Sequence, residues 1–282
     1  MGNFVHLHVH TEYSILDGAT KIAVAAKKAK ALGMPALAIT DHGNMYGAVN
    51  FFDACEKEGI KAIIGTEFYV CDDLTVKSGK AKLNHLVLLC KNEEGYKNIS
   101  LLNAIAFRDG FYYKPRIDLK TLEAHHEGLI CLSACLAGDI PQAILNRNFD
   151  EAERLVLWFK NLFGEDFYLE MQNHMLEEQL EVNKYLRTYA KKYGIKLVAT
   201  NDVHFLNEED AEAHDLLICL NTRKDIDDPT RMRYTRQEWF KTTQEMIDLF
   251  PDLPEAIENT QEITDKVEEY ELDSDPLMPV FP

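Results

Sequence analysis

The sequence predicts an α/β barrel of seven strand–helix units followed by a helical extension. Three observations carry that prediction. From the start to about residue 204, short apolar runs rich in Val, Ile, Leu or Tyr alternate with amphipathic stretches. There are seven such runs with no break between them, and after His204 the strands stop. Strands alternating with helices imply a parallel sheet with helices outside it, and seven uninterrupted units imply closure. An open doubly wound sheet is the alternative. At 282 residues the chain is long enough for one barrel, which takes roughly 250 residues, with an appendage.

The strands are expected at 4–11, 35–41, 61–70, 83–91, 129–135, 167–172 and 196–201. Helices are expected between them. Residues 22–32 form an Ala- and Lys-rich run, and 46–58 follow a Gly-Asn turn. The stretch 92–107 opens with Glu93 and Glu94, placed to meet the positive end of the helix dipole. Apolar residues at 152, 155, 156, 158, 159 and 162 give one face to a helix over 149–163, and 176–193 completes the set. Beyond His204, helices are expected at 208–220, 243–250 and 254–268, separated by the polar, turn-rich DIDDPTRMRYT. The expected organisation is therefore a barrel over 1–204 and a helical extension over 205–282, with a poorly anchored tail.

Composition narrows the function. Asp and Glu total 47 against 30 Lys and Arg, a formal charge of −17. A stand-alone duplex-DNA binder presents a net basic face, so broad clamping of a nucleic-acid backbone is disfavoured. Bound metal ions would still make one pocket positive on an acidic body. The six cysteines form no CxxC pair, and no run is apolar and long enough to span a bilayer. They are read as reduced thiols of a cytoplasmic protein that does not engage a membrane.

The opening FVHLHVH sets His6, His8 and His10 at alternate positions, on one face if the segment is a strand. One buried histidine usually has a satisfied hydrogen bond; three in register each need a partner, and metal ions supply such partners. Other strand ends carry suitable ligands: Asp41-His42 after the second, Glu67 in the third, Cys135 at the fifth, and Asp202 and His204 after the seventh. Barrel sites are built at the carboxyl ends of the strands, so these residues are expected together.

HLHVHTEYSILDG, ITDHGN, GTEFYV, NHLVLLCKN, LSAC and TNDVHF together resemble the PHP (polymerase and histidinol phosphatase) domain. More narrowly, the chain is similar to the form of that domain at the amino terminus of bacterial replicative DNA polymerase III alpha subunits, a likeness extending through YYKPRID, QNHM, DDPTRMRYT and PEAIENTQEI. The resemblance implies a distorted seven-stranded barrel with nine ligands for up to three divalent metals. By motif these fall on His8, His10, Asp17, His42, Glu67, His85, Cys135, Asp202 and His204. Asp17 and His85 rest on the resemblance, since an Asp-Gly pair is ordinarily a turn and His85 opens its strand. The resemblance places His6 below the ligands, as a buried supporting residue.

Three divalent ions would bring six positive charges to four anionic ligands, which suits a phosphate. Mixed His, carboxylate and thiolate donors favour zinc, with manganese or iron at oxygen-richer positions. Metals about 3.5–4 Å apart activate water and steady both oxygens of an in-line displacement. Glu67 is expected to bridge two of them, and Glu67 and Asp202 to carry catalysis. Lys114, Arg116 and His174 are candidates for holding a substrate phosphate; Tyr112 and Tyr113 for stacking on a base. His125 and His126 are expected on the surface, His214 in packing and Cys131 in the barrel core. The Asp273-Ser274-Asp275 triplet lies in an acidic tail and is assigned no chemistry.

The leading expectation is a metal-dependent phosphodiesterase, in a polymerase context a 3′–5′ proofreading exonuclease acting on single-stranded or primer-end DNA beside the remainder of an alpha subunit. The alternatives are a metal-stabilised structural or interaction module of the polymerase, or a phosphomonoesterase.

Overall fold

A computed structural model describes residues 4–80, 82–270, 272 and 278; the Asp273–Asp275 triplet lies outside them. In chain order the elements are α1 (Ile22–Ala31), β1 (Ala36–Ile39), α2 (Ala48–Glu58), β2 (Lys61–Cys71), β3 (Asn84–Cys90), α3 (Glu93–Arg108), β4 (Arg116–Asp118), α4 (Leu119–Ala124), β5 (Leu129–Leu132), α5 (Asp139–Leu145), α6 (Phe149–Phe163), β6 (Phe167–Met171), α7 (Glu177–Tyr193), β7 (Lys196–Ala199), α8 (Ala211–Thr222), α9 (Thr243–Leu249) and α10 (Pro254–Lys266). The expected helices all form. The short α4 and α5, and the three-residue β4, were not foreseen.

The sheet runs β1-β2-β3-β5-β6-β7, with β4 beside the far half of β2. It is mixed, not parallel. β3 is antiparallel to both β2 and β5, while β1–β2, β2–β4, β5–β6 and β6–β7 are parallel. Among its described residues the β2–β3 connection over 72–83 carries no helix to cross back over the sheet, so the chain returns as a neighbouring antiparallel strand.

Residues 4–10 close the curl between β1 and the segment after β7. Ala38 N donates to His6 O, Thr40 N to Val9 O, His10 N to Val203 O and Val203 N to His8 O. They are not a regular strand, because two of their donors go to side chains: Val5 N to Thr260 Oγ1 and Val9 N to Thr40 Oγ1. A bend at His8 also switches the facing. Val5 and Leu7 join the barrel interior, whereas Phe4 and Val9 pack in the layer against the helices. His6 is therefore not in register with His8 and His10.

Two apolar layers result. Ala36, Ala38, Ile63, Val87, Leu89, Ile130, Leu132, Tyr168 and Val198 fill the interior; alternate residues such as Leu37, Ile64, Leu88 and Leu169 pack under the helices. Cys131 belongs to the outer layer, not to the interior as expected. β5 ends at Leu132, and Ala134 takes a left-handed φ of 63°, so the parity that would pair Cys131 with Cys135 is broken.

The extension is packed into the barrel. Ile263 and Val267 of the α10 segment join the interior core. Asn259 donates to Leu197 O, and Lys61 Nζ to Thr264 O and Val267 O. The change in texture at residue 204 marks a change of element type, and through residue 270 the chain stays anchored: Glu268 N donates to Lys91 O. No helix among the described residues is long and apolar enough to cross a membrane.

Candidate metal centre

The ends of the segment 4–10, β1, β5 and β7, together with inward positions on β2 and β3, deliver eight side chains to one end of the barrel, and the turn before α1 adds a ninth, Asp17. His8 Nε2 lies 3.2 Å from His10 Nε2, 3.3 Å from Glu67 Oε1 and 3.2 Å from Asp202 Oδ1. His10 Nε2 is 3.4 Å from Glu67 Oε2 and 3.2 Å from Asp202 Oδ1. His42 bridges Asp17 Oδ2 at 2.7 Å and Glu67 Oε2 at 2.8 Å. His85 Nδ1 is 3.1 Å from Glu67 Oε1 and 3.5 Å from Cys135 Sγ, and His204 Nε2 is 3.7 Å from Asp17 Oδ2.

The antiparallel β3 explains His85. Its strand starts where its neighbours end, and the β2–β3 register sets Tyr69 opposite His85 and Glu67 opposite Val87. The start of β3 therefore stands at the same level as the carboxyl ends of the parallel strands. A wholly parallel sheet would have put it at the opposite end.

Three imidazoles are oriented from behind. His8 Nδ1 donates to Glu170 Oε1 at 2.7 Å, His10 Nδ1 to Ser14 Oγ at 2.9 Å, and His204 Nδ1 to the Asp202 carbonyl at 2.8 Å. Each bond orients its ring with Nε2 facing the centre, where the lone pair becomes available once the ring is deprotonated for a metal. Asp202 itself sits at φ 47°, a left-handed strain tolerated where function over-determines the backbone.

The electrostatics show mutual dependence. Burial opposes charge on His8 and His42, yet Asp202, Glu170 and Glu67 hold His8 well above its ordinary value, and Glu67 and Asp17 lift His42 to about 10. Burial, with His42 and His204 adding positive charge, drives His10 down to about 3. Glu67 stays well below the usual carboxylate range despite burial, because His85, His8 and His42 surround it. Asp202, buried beside His8, His204 and His10, is likewise held low. Burial, followed by the charges of Glu67 and Asp202, pushes the Cys135 thiol up.

These residues fit divalent cations. Glu67 Oε2, His42 Nδ1 and Asp202 Oδ1 are buried without a hydrogen bond of acceptable geometry, although each lies within about 3.5 Å of another donor atom of the cluster. Lone pairs converging on shared points are what a cation resolves. Three sets each gather their ligand atoms within 4.8 Å: His8, His10 and Glu67; His42, Glu67 and His85; His10, His42 and His204.

Other expected residues fall elsewhere. Arg116 is 3% exposed and donates to the carbonyls of Gly110, Leu74 and Val76, so it clamps a loop and does not face a phosphate. His174 is also buried; Nε2 donates to Asn201 O and Nδ1 accepts from Gln179, which ties it to the backbone beside Asp202. Lys114 is exposed, its Nζ 5.3 Å from the Tyr69 ring centroid, in a cleft that Asp17 and His42 also line. Asp41 turns away to Thr11 and Ser14. His6 is buried, wedged against Phe4 and Phe240 with Nε2 donating to Lys241 O.

Sequence reading missed three contributors. Glu170, an acid at an inward position of an apolar strand, could have been found by its parity with Tyr168. His214 is buried as expected, but its Nε2 also donates to Asp17 O at 2.8 Å and so steadies a ligand backbone. Tyr234, from the turn-rich stretch of the extension, places its hydroxyl 3.0 Å from Asp17 Oδ1 and 3.2 Å from His204 Nε2. No local pattern announces it.

Residues 6–174 match the model of the PHP domain family, and the chain belongs to that family. Among curated proteins, it is 46% identical over 274 residues to the DNA polymerase III subunit alpha of Borreliella burgdorferi, covering 95% of this chain and 24% of that one. The corresponding subunits of Treponema pallidum and Thermus aquaticus are each 43% identical, over 99% and 92% of this chain and 24% and 22% of theirs. The chain thus spans about a quarter of the length of these relatives.

Proposed function

We propose that this chain is a metal-dependent phosphodiesterase, acting as a 3′–5′ proofreading exonuclease on single-stranded or primer-end DNA within a polymerase alpha subunit. One observation carries the reading. Glu67 is a buried carboxylate with His8, His10, His42 and His85 within 3.4 Å, inside a cluster that keeps all nine competent ligands: His8, His10, Asp17, His42, Glu67, His85, Cys135, Asp202 and His204. The donor set suits up to three divalent ions, zinc foremost.

Such ions supply Lewis-acid activation of a phosphodiester and of the attacking water. The protein's part is to hold them and the substrate. Glu67 offers one oxygen toward His8 and His85 and the other toward His10 and His42, as a bridging carboxylate does. Asp202 faces His8 and His10 and is held ionised, which suits it to serve as a ligand and to accept a proton at that edge. Lys114 lines the cleft beside Asp17 and His42, which supports a phosphate-holding role for it. The family likeness and the alpha-subunit relatives support nucleic acid as the substrate class.

The test is gel-resolved digestion of 5′-labelled single-stranded DNA by metal-loaded protein, with Asp202→Asn prepared identically. Loss of this ligand is expected to lower metal affinity and cleavage together, by about 100-fold or more. A ladder shortening from the 3′ end and absent in the variant is the expected result. Undigested DNA from protein holding its metals would leave the second reading, a metal-stapled structural module. That reading has its own support, since the ligands tie segment 4–10 to β2, β3 and the ends of β1, β5 and β7.

A further inference from the structure

We propose that the face formed by the 72–80 loop and the 107–114 segment is a single-strand track, which holds the bases and phosphates of the chain entering the metal centre. The inference rests on the phosphodiesterase reading and names what lies beyond the scissile phosphate. Phe107 lines the same cleft as Asp17, His42 and Lys114. From it an aromatic row runs outward: Tyr46 and Phe111 have ring centroids 6.2 and 6.3 Å from that of Phe107. Tyr46, Phe107 and Phe111 are 58%, 41% and 47% exposed, and Tyr113 is 73% exposed. Clustered aromatic exposure of this kind marks a binding surface. Tyr113 is held at φ 62°, a left-handed conformation that a bulky residue rarely adopts.

Charge selects the occupant. On a chain of net charge −17, Lys77, Lys80 and Lys114 are all exposed here without a carboxylate within 4.0 Å among the described residues. Of the acids in the same segments, Asp72 is paired with Lys82 and Asp109 with Arg108, leaving Asp73 as the uncompensated one. The loop carrying the first two is fastened to the aromatic segment: Tyr112 Oη donates to Gly79 O at 3.0 Å, and Arg116 holds the carbonyls of Leu74 and Val76. Lysines that track a backbone, interleaved with exposed rings that accept base faces, are the arrangement single strands require. The buried Arg116 thereby gains a purpose: it shapes the track without touching the strand.

The test is fluorescence anisotropy of metal-loaded chain with labelled oligothymidylate and with an abasic strand of equal length, across a salt series. Wild type should hold the base-bearing strand more tightly. Lys77→Ala/Lys80→Ala should weaken both strands and flatten the slope of log Kd against log salt by about 1.4. Tyr113→Ala should weaken oligothymidylate by about fivefold or more while leaving the abasic strand unaffected. If wild type holds both strands equally, or neither, or if the variants bind like wild type, the proposal is overturned and the aromatic face is left to a protein partner. Hydrolysis of bis(p-nitrophenyl) phosphate by wild type, run in parallel, separates the two failures. Strand discrimination without turnover would sink the phosphodiesterase and leave the track standing.

Discussion

On β2 the inward column reads Ile63, Gly65, Glu67, and within those five residues the barrel passes from one kind of interior to another. At the Ile63 end, Val5, Leu7, Val198, Ile263 and Val267 form an apolar plug, and α10 answers nearby backbone donors, as Thr260 does for Val5. At the Glu67 end the interior is carboxylates and imidazoles, and three buried ligand atoms have no hydrogen bond. Gly65 stands between them, where a Cβ would lie 2.6 Å from Leu88 O. One end is held by apolar packing; at the other, buried carboxylates and imidazoles of opposite charge hold one another until a cation takes the place of the imidazolium charge.

Metal removal should expose that difference most strongly. In the metal-free protein His8, His42 and His204 have raised pKa values. The stability they contribute is complete below the ordinary imidazole value of 6.5 and is lost as pH rises through the folded values, about 10 for His42. Thermal unfolding of chelator-treated protein should therefore fall in midpoint between pH 6.5 and 10. Metal-loaded protein, whose ligands must be deprotonated, should not follow it. Parallel pH profiles with and without metal would refute the ascription of the unpaired ligands to a cation site.

The closed end is broken by Ile263→Ala, which should cost about 2–5 kcal/mol in urea unfolding. Metal stoichiometry of the folded fraction should stay unchanged; a loss of metal would mean that the two ends are not independent. A smaller effect is expected from Glu170→Gln, which keeps an acceptor for His8 but removes its charge. Metal affinity, read by competition with a chromogenic chelator, should drop roughly tenfold. Smallest is Tyr234→Phe. Losing its hydrogen bond to Asp17 should lower the stability of the metal-free protein by about 1 kcal/mol in urea unfolding.

Much of this molecule was legible from residue order. Helix positions followed from apolar spacing, as over 149–163, and from signals such as Glu93 and Glu94 at the start of α3. His8, His10, His42, Glu67, Asp202 and His204 could be gathered because they stand in or just after predicted strands, and strand ends share one end of a barrel. Phase and direction were not legible. The alternation rule assumes unbroken strands, so it wrongly aligned His6 with His8 and His10 across a bend, and Cys131 with Cys135 across a left-handed Ala134. The parallel expectation left His85 at the wrong level because nothing in NHLVLLC encodes which way the strand runs. Arg116 and His174 looked like phosphate ligands because a motif does not show whether a polar side chain is already engaged by the protein's own backbone and side chains.

What the sequence determined by itself was the inventory: which segments are helical or extended, and which side chains can ligate a metal, since these depend on local periodicity and chemical type. What only the tertiary structure decided was convergence. The reversal of β3 raised His85 to the site, the packing of the extension delivered Tyr234 to Asp17, and α10 closed the opposite end. Each depends on contacts between residues far apart in the chain, which no local pattern records.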